Sequence, residues 1–157
     1  MCGIAGIINL SGENVTPSEI DTMLEKIKHR GPDDEGRFVK DNAGFGHVRL
    51  SIIDLSAAGH QPMFSNDGRF MIIFNGEIYN YLELRKELEV NYQFKSKTDT
   101  EVLLAAYIAW GENSLHRLNG DFAFVIYDTT EKKVFGARDR FGIKPFYYHL
   151  NSKKFAF

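Results

Sequence analysis

With 157 residues, 43% of them hydrophobic and 25% charged, the chain has the composition of one globular domain, long enough to bury roughly 68 to 70% of its unfolded surface. The formal net charge is −2, the sequence pI is near 6.2, and the lysines and arginines are scattered, so no electrostatic footprint for nucleic acid or an anionic membrane is present. One cysteine excludes an intrachain disulfide, five dispersed histidines give no zinc-ligand spacing, and without a membrane-length apolar run or a signal-peptide pattern the expected location is cytoplasmic.

No repeat, low-complexity tract or linker divides the chain, so residues 1–157 are read as one unit. Gly3 to Asn9 is apolar at nearly every position, as a strand buried on both faces requires. Thr16, Pro17 and Glu19 then form a capping box with proline at the first helical position. Ile20, Met23, Leu24 and Ile27 recur at helical spacing until Gly31 and Pro32 stop the helix. Residues 36–40, 44–53 and 70–75 are rich in Phe, Ile, Val and Leu between turn residues, which predicts strands.

Asn80 and Glu83 are spaced to cap a helix carrying Leu84 and Leu88. Thr98 and Glu101 are spaced to cap another, in which Val102, Ala106 and Trp110 share one side before Gly111 ends it. Phe122–Tyr127, Lys133–Arg138, Phe146–His149 and Lys154 onward are short aromatic runs joined by polar turns, as in an antiparallel sheet. About eight strands and two long helices leave sheet faces that helices must cover, and the simplest layering is two stacked antiparallel sheets between helices. The final Phe155–Phe157 falls inside an apparent strand, so a longer parent polypeptide is expected.

Cys2 follows the initiator methionine directly, and removal of Met1 would leave its thiol beside its own α-amine. A thiol reacts as thiolate, with an ordinary pKa near ~8.5, and an α-amine titrates near ~7.7 to 8.0, close enough to accept that proton at neutral pH. One residue then supplies both nucleophile and base. The competing reading is a small buried hydrophobe beside Ile4, Ile7 and Ile8. With Met1 attached the Cys2 nitrogen is an amide and no base.

The segments MCGIAG, HRGPDDEG, HVRLSIID, FNGEIYN, SKTDTEV, GDFAFVIYD and ARDRFGIKPFYY follow one another in this order. Together they resemble, over almost the whole chain, the N-terminal glutaminase domain of glutamine-hydrolysing asparagine synthetases. Those are class II glutamine amidotransferases within the N-terminal nucleophile hydrolases. The resemblance implies an α+β fold, a four-layer αββα sandwich of two antiparallel sheets between helices, and L-glutamine as substrate. It implies that Cys2 attacks the side-chain amide to form a thioester, and that the Asn75 side chain and Gly76 N–H form an oxyanion hole. It further implies that Arg49 grips the α-carboxylate, that the backbone of Ser51, Ile52 and Ile53 contacts substrate, and that Glu77 and Asp99 receive the α-amino group.

Each of these residues has a plainer reading. Asn75–Gly76 is also the commonest short hairpin signal, Arg49 suits a solvated strand face, Asp99 suits a helix N-terminus, and Gly3 suits a packing position as well as space beside the reacting carbonyl. By resemblance His29–Pro32 begins a lid near the pocket, while Asp33, Asp34 and Glu35 read as a solvated loop and not a metal site. His60–Pro62 has no derived role, and Arg138, Asp139 and Arg140 read as an ion-pair corner or a domain interface. No P-loop or SGGxDS segment occurs, so no cofactor or metal is expected here. ATP and magnesium are expected only in an attached C-terminal synthetase domain, and homo-oligomerisation is left open. The alternatives are a noncatalytic interaction or regulatory module on the same scaffold, a glutaminase serving another acceptor, and, last, a redox-sensing thiol.

Overall fold

The apolar alternation resolves into nine strands and three α-helices in the computed structural model, which describes residues Met1–Phe157. In chain order they are β1 (Gly3–Asn9), α1 (Pro17–Ile27), β2 (Asp34–Lys40), β3 (Ala43–Arg49), β4 (Met63–Phe64), β5 (Phe70–Ile78), α2 (Tyr81–Leu88), α3 (Asp99–Trp110), β6 (Gly120–Asp128), β7 (Lys133–Arg138), β8 (His149–Leu150) and β9 (Lys154–Ala156). One antiparallel sheet runs β2-β3-β1-β9-β8 and the other β4-β5-β6-β7.

Three apolar clusters define the layers. Ile20 and Leu24 of α1 pack on Ile7 and Val48 of the first sheet. Phe45 of that sheet meets Met71, Ile73, Val125 and Tyr127 of the second across the inter-sheet space. Ile72, Phe74, Phe124 and Ile126 turn outward onto α2 and α3. The result is the expected αββα sandwich. Helix α1 lies close on β3 because Gly46 has no side chain, where a Cβ would stand 2.7 Å from Leu24 Cδ2. No helix is long and apolar enough to cross a membrane.

Glu19 accepts the Thr16 N–H at 2.9 Å, so the start of α1 is set as its capping residues predict. Thr98 Oγ1 likewise accepts the Glu101 N–H at 3.2 Å to begin α3. Asn80 departs from expectation. It occupies the cap position of α2, but its side chain donates to Arg117 O at 2.9 Å and accepts from Asn119 N at 3.0 Å, joining the helix start to the entry of β6.

The strand expected over 44–53 ends at Arg49. There the guanidinium turns back onto the carbonyls of Asp54 and Ser56, which folds residues 50–56 into a loop instead of a ladder. Asp54 fixes that loop, accepting from Ser56 N at 2.9 Å and Lys97 N at 3.2 Å. The four aromatic runs after α3 do not form one sheet: β6 and β7 join the second sheet, while β8 and β9 join the first. Phe146 inserts among the inter-sheet side chains, so pairing in that run begins only at His149.

Candidate active site

Strand alternation builds the site. Ile4 and Ile8 of β1, Ala43 and Phe45 of β3, and Met71 and Ile73 of β5 fill the space between the sheets. Continuing each row brings Cys2, His47 with Arg49, and Asn75 to one end of that space, where apolar filling gives way to polar side chains. Asn75 and Gly76 lie inside β5 and not at a turn, so the hairpin reading of Asn-Gly does not hold.

Cys2 Sγ accepts the Leu50 N–H at 3.4 Å and its thiol lies 3.6 Å from Leu50 O, while Cys2 O accepts from Arg30 Nε at 2.9 Å. Burial pushes the thiol pKa up from its ordinary value, against the Leu50 N–H and the positive charges of the Met1 amine and Arg49. The thiol therefore needs a base to react at neutral pH. A Cβ on Gly3 would stand 2.9 Å from Val48 Cγ2 and 3.0 Å from Ile27 Cδ1 at the end of α1, which fits its reading as a packing glycine.

A cavity of about 110 Å³ opens at Cys2 and is lined by Arg49, Gln61, Asn75, Gly76 and Asp99. Glu77, Ile52 and Ile53 also reach it, whereas Ser51 stands outside, with its N–H on Asp33 Oδ2 at 2.7 Å. Asn75 is only 3% exposed, yet its amide makes no side-chain hydrogen bond within the protein. Phe74 N donates to Gln61 Oε1 and Ile78 N to Asp99 Oδ2, both on the edge of β5 turned away from β6. Antiparallel alternation turns the intervening Gly76 N–H the same way, into the cavity. Gly76 is required there, because a Cβ would stand 2.7 Å from Phe122 Cα.

Arg49 is buried, and the partners it donates to are main-chain carbonyls, not a carboxylate. It lines the cavity with no carboxylate partner, and the solvated-face reading falls. Asp99 is also buried, with its pKa raised to about 6 by that burial in spite of the Ile78 N–H, and with Glu77 adding to the rise. A cation placed beside these two carboxylates would relieve that cost.

Around His29–Pro32, Arg30 Nε donates to Cys2 O and Asp33 N to Arg49 O at 3.0 Å, and none of His29, Arg30, Gly31 and Pro32 lines the cavity. Asp34 pairs with His60 Nδ1 at 2.8 Å. The Asp139 corner is no ion pair either: its carboxylate accepts N–H bonds from Phe122, Phe141, Ile143 and Lys144. Burial works to raise the Asp139 pKa, but these four donors hold it below its ordinary value.

The profile of the glutamine amidotransferase domain family matches residues 1–157. The chain belongs to that family. It is 48% identical to asparagine synthetase 1 (glutamine-hydrolysing) of Bacillus subtilis strain 168, over 94% of this chain and 24% of that protein. It is 41% identical to asparagine synthetase 3 (glutamine-hydrolysing) of the same organism, over 100% of this chain and 26% of that protein. The chain therefore spans about a quarter of the length of these relatives. In fold it superimposes, with a TM-score of 0.82 at 24% identity, on glutamine phosphoribosylpyrophosphate amidotransferase from B. subtilis, covering 99% of this chain and 41% of that one.

In this glutamine amidotransferase domain, sequence reasoning missed Leu50, Gln61 and Lys144 at the cavity. Leu50 acts through its backbone, which no side-chain pattern reveals. Gln61 and Lys144 lie in the motifs HQP and FGIKP, which were visible but carried no periodic or charge-pair signal. Lys144 lines the cavity, and the Asp139 carboxylate holds its backbone N–H at 2.9 Å.

Proposed function

We propose that the chain, once Met1 is removed, hydrolyses the side-chain amide of L-glutamine to glutamate and ammonia. The observation that carries this reading is the convergence of Cys2 and the unbonded amide of nearly buried Asn75, from facing sheets, on one small cavity. The Cys2 α-amine takes the thiol proton, and the sulfur attacks the amide carbon. Asn75 and the Gly76 N–H donate to the oxygen as it becomes negative, with little reorganisation because both are fixed by β5. The amine returns its proton to the departing nitrogen as the C–N bond breaks, leaving a thioester. Water then adds, the C–S bond breaks, and glutamate leaves with the thiol restored.

Arg49 receives the α-carboxylate through its planar fork, and Asp99 with Glu77 receives the ammonium. Ile52 and Ile53 border the same cavity. This chemistry calls on side chains and backbone alone. In the wider proposal the ammonia serves a synthetase domain of the same polypeptide in the cytoplasm, and ATP with magnesium acts there. Incubating the protein processed to begin at Cys2 with glutamine should release glutamate and ammonia in equal amounts. Absence of both products from folded, processed protein overturns the reading.

A further inference from the structure

Strand β4 pairs with β5 only at Met63–Ile72 and Phe64–Met71, so beyond Ile72 one edge of β5 has no strand beside it. Such an edge leaves main-chain donors and acceptors that must find other partners when buried. At Phe74, the residue just before Asn75, both are taken by side chains. The N–H goes to Gln61 Oε1 at 2.7 Å, and the carbonyl pairs with His47 Nε2 at 3.1 Å. The other end of the Gln61 amide donates to Thr100 Oγ1 at 3.2 Å, beside Asp99 in the first turn of α3. Gln61 is 4% exposed and borders the Cys2 cavity.

The Gln61 side chain therefore ties together two parts that must hold a fixed distance: the strand carrying Asn75 and Gly76, and the helix start carrying Asp99. Beyond Gly76, Asp99 Oδ2 already joins α3 to β5 by accepting the Ile78 N–H at 3.0 Å, and buried apolar side chains fill the rest of the contact. The Gln61 carboxamide, with both ends bonded, adds the matching tie on the other side of Asn75 and Gly76 through two directional bonds. A shift of about 1 Å in such a constellation is enough to cost on the order of a hundredfold in rate. We infer that Gln61 is a positioning residue for amide hydrolysis, holding Phe74 so that the Asn75 amide and Gly76 N–H meet the oxyanion. This rests on the glutaminase reading given above.

Gln61→Met keeps length and removes both bonds. In protein processed to begin at Cys2 it should lower kcat by about tenfold to a hundredfold, with a smaller rise in KM. The deciding readout is dependence on Asn75: added to Asn75→Ala, the same substitution should cost several-fold less than it does in the parent, because of the two donors it positions only the Gly76 N–H is left. A purely structural role gives equal losses in both backgrounds, and that result overturns the inference. So does an unchanged kcat in folded Gln61→Met protein. If Gln61→Met does not fold, Thr100→Val loosens only the far end of the link. It should lower kcat less but with the same dependence on Asn75, and an unchanged kcat overturns the inference. A parent protein that releases no glutamate sinks the glutaminase reading itself, and the positioning role with it. An active parent with an insensitive Gln61 sinks the positioning role alone.

Discussion

Cys2 Sγ accepts a hydrogen bond from the main-chain nitrogen of Leu50, 3.4 Å away and 48 residues along the chain. That donor favours the thiolate, but burial outweighs it and the thiol pKa stays raised. The thiol should therefore react slowly at neutral pH while Met1 is attached. Alkylation rates followed against pH should show a midpoint above the ordinary ~8.5 for the Met1-bearing chain and a lower one after processing. Equal midpoints would show that the α-amine does not activate the sulfur.

Asn75 offers an amide with no internal partner to the same cavity. Asn75→Ala should lower kcat for glutamine by roughly 100- to 1000-fold with little change in KM, the signature of a donor used mainly in the transition state. Steady-state kinetics on a variant with unchanged melting temperature checks this. A change confined to KM would move Asn75 from the oxyanion to ground-state binding.

Arg49→Lys retains the charge but loses the fork. It should raise KM by about tenfold to a hundredfold, the range expected for hydrogen bonds to a charged group. It should also lower the melting temperature, because the Asp54 and Ser56 carbonyls lose their donor. A KM within about twofold of the parent value would remove Arg49 from the substrate.

Asp99 and His47 make opposite contributions to pH dependence. Burial holds Asp99 near a pKa of about 6, above its ordinary 3.8, so its stabilising contribution is full below 3.8 and is lost as pH rises through about 6. Burial lowers His47 from 6.5 to about 4, so its contribution is full above 6.5 and is lost as pH falls through about 4. Asp99→Asn should therefore make melting temperature climb more steeply with pH between these limits. Glutamine's ammonium favours the ionised carboxylate, so glutamine binding to a Cys2→Ala protein should weaken as pH drops below about 6. Calorimetric titration should find that limb absent after Asp99→Asn; its persistence would assign it to another group.

Leu24 is almost fully buried between α1 and the first sheet, against a strand that approaches closely at Gly46. Leu24→Ala should cost about 2 to 5 kcal/mol in chemical denaturation, because the close approach leaves little room for collapse around the cavity. A cost well under about 1 kcal/mol would show that the helix settles onto the sheet.

What the sequence discloses here is local. Pro17, Glu19 and the spacing of Ile20 and Leu24 predict α1 because a capping box and a helical period each lie within a few residues. The pattern misleads where a distant bond overrides it. Arg49 is followed by apparent alternation, yet its guanidinium folds the loop back. Asn80 looks like a cap but bonds residues 37 and 39 positions away. At the site, the motifs name Cys2, Asn75, Arg49 and Asp99 by resemblance, and the inter-sheet alternation explains why Cys2, Arg49 and Asn75 meet. Gln61 and the Leu50 backbone stay hidden, since their partners Phe74, Thr100 and Cys2 are set by tertiary structure alone.

The central claim is that a free amine at Cys2 turns its own sulfur into the nucleophile for a glutamine amide. The most direct measurement is intact mass after exposure to a glutamine analogue carrying an electrophile at the side-chain carbonyl position, on chains with and without Met1. The processed chain should gain one adduct at Cys2, blocked by excess glutamine, and the Met1-bearing chain should gain almost none. A folded, processed chain that stays unlabelled across neutral pH, or one labelled equally well with Met1 attached, would contradict the claim.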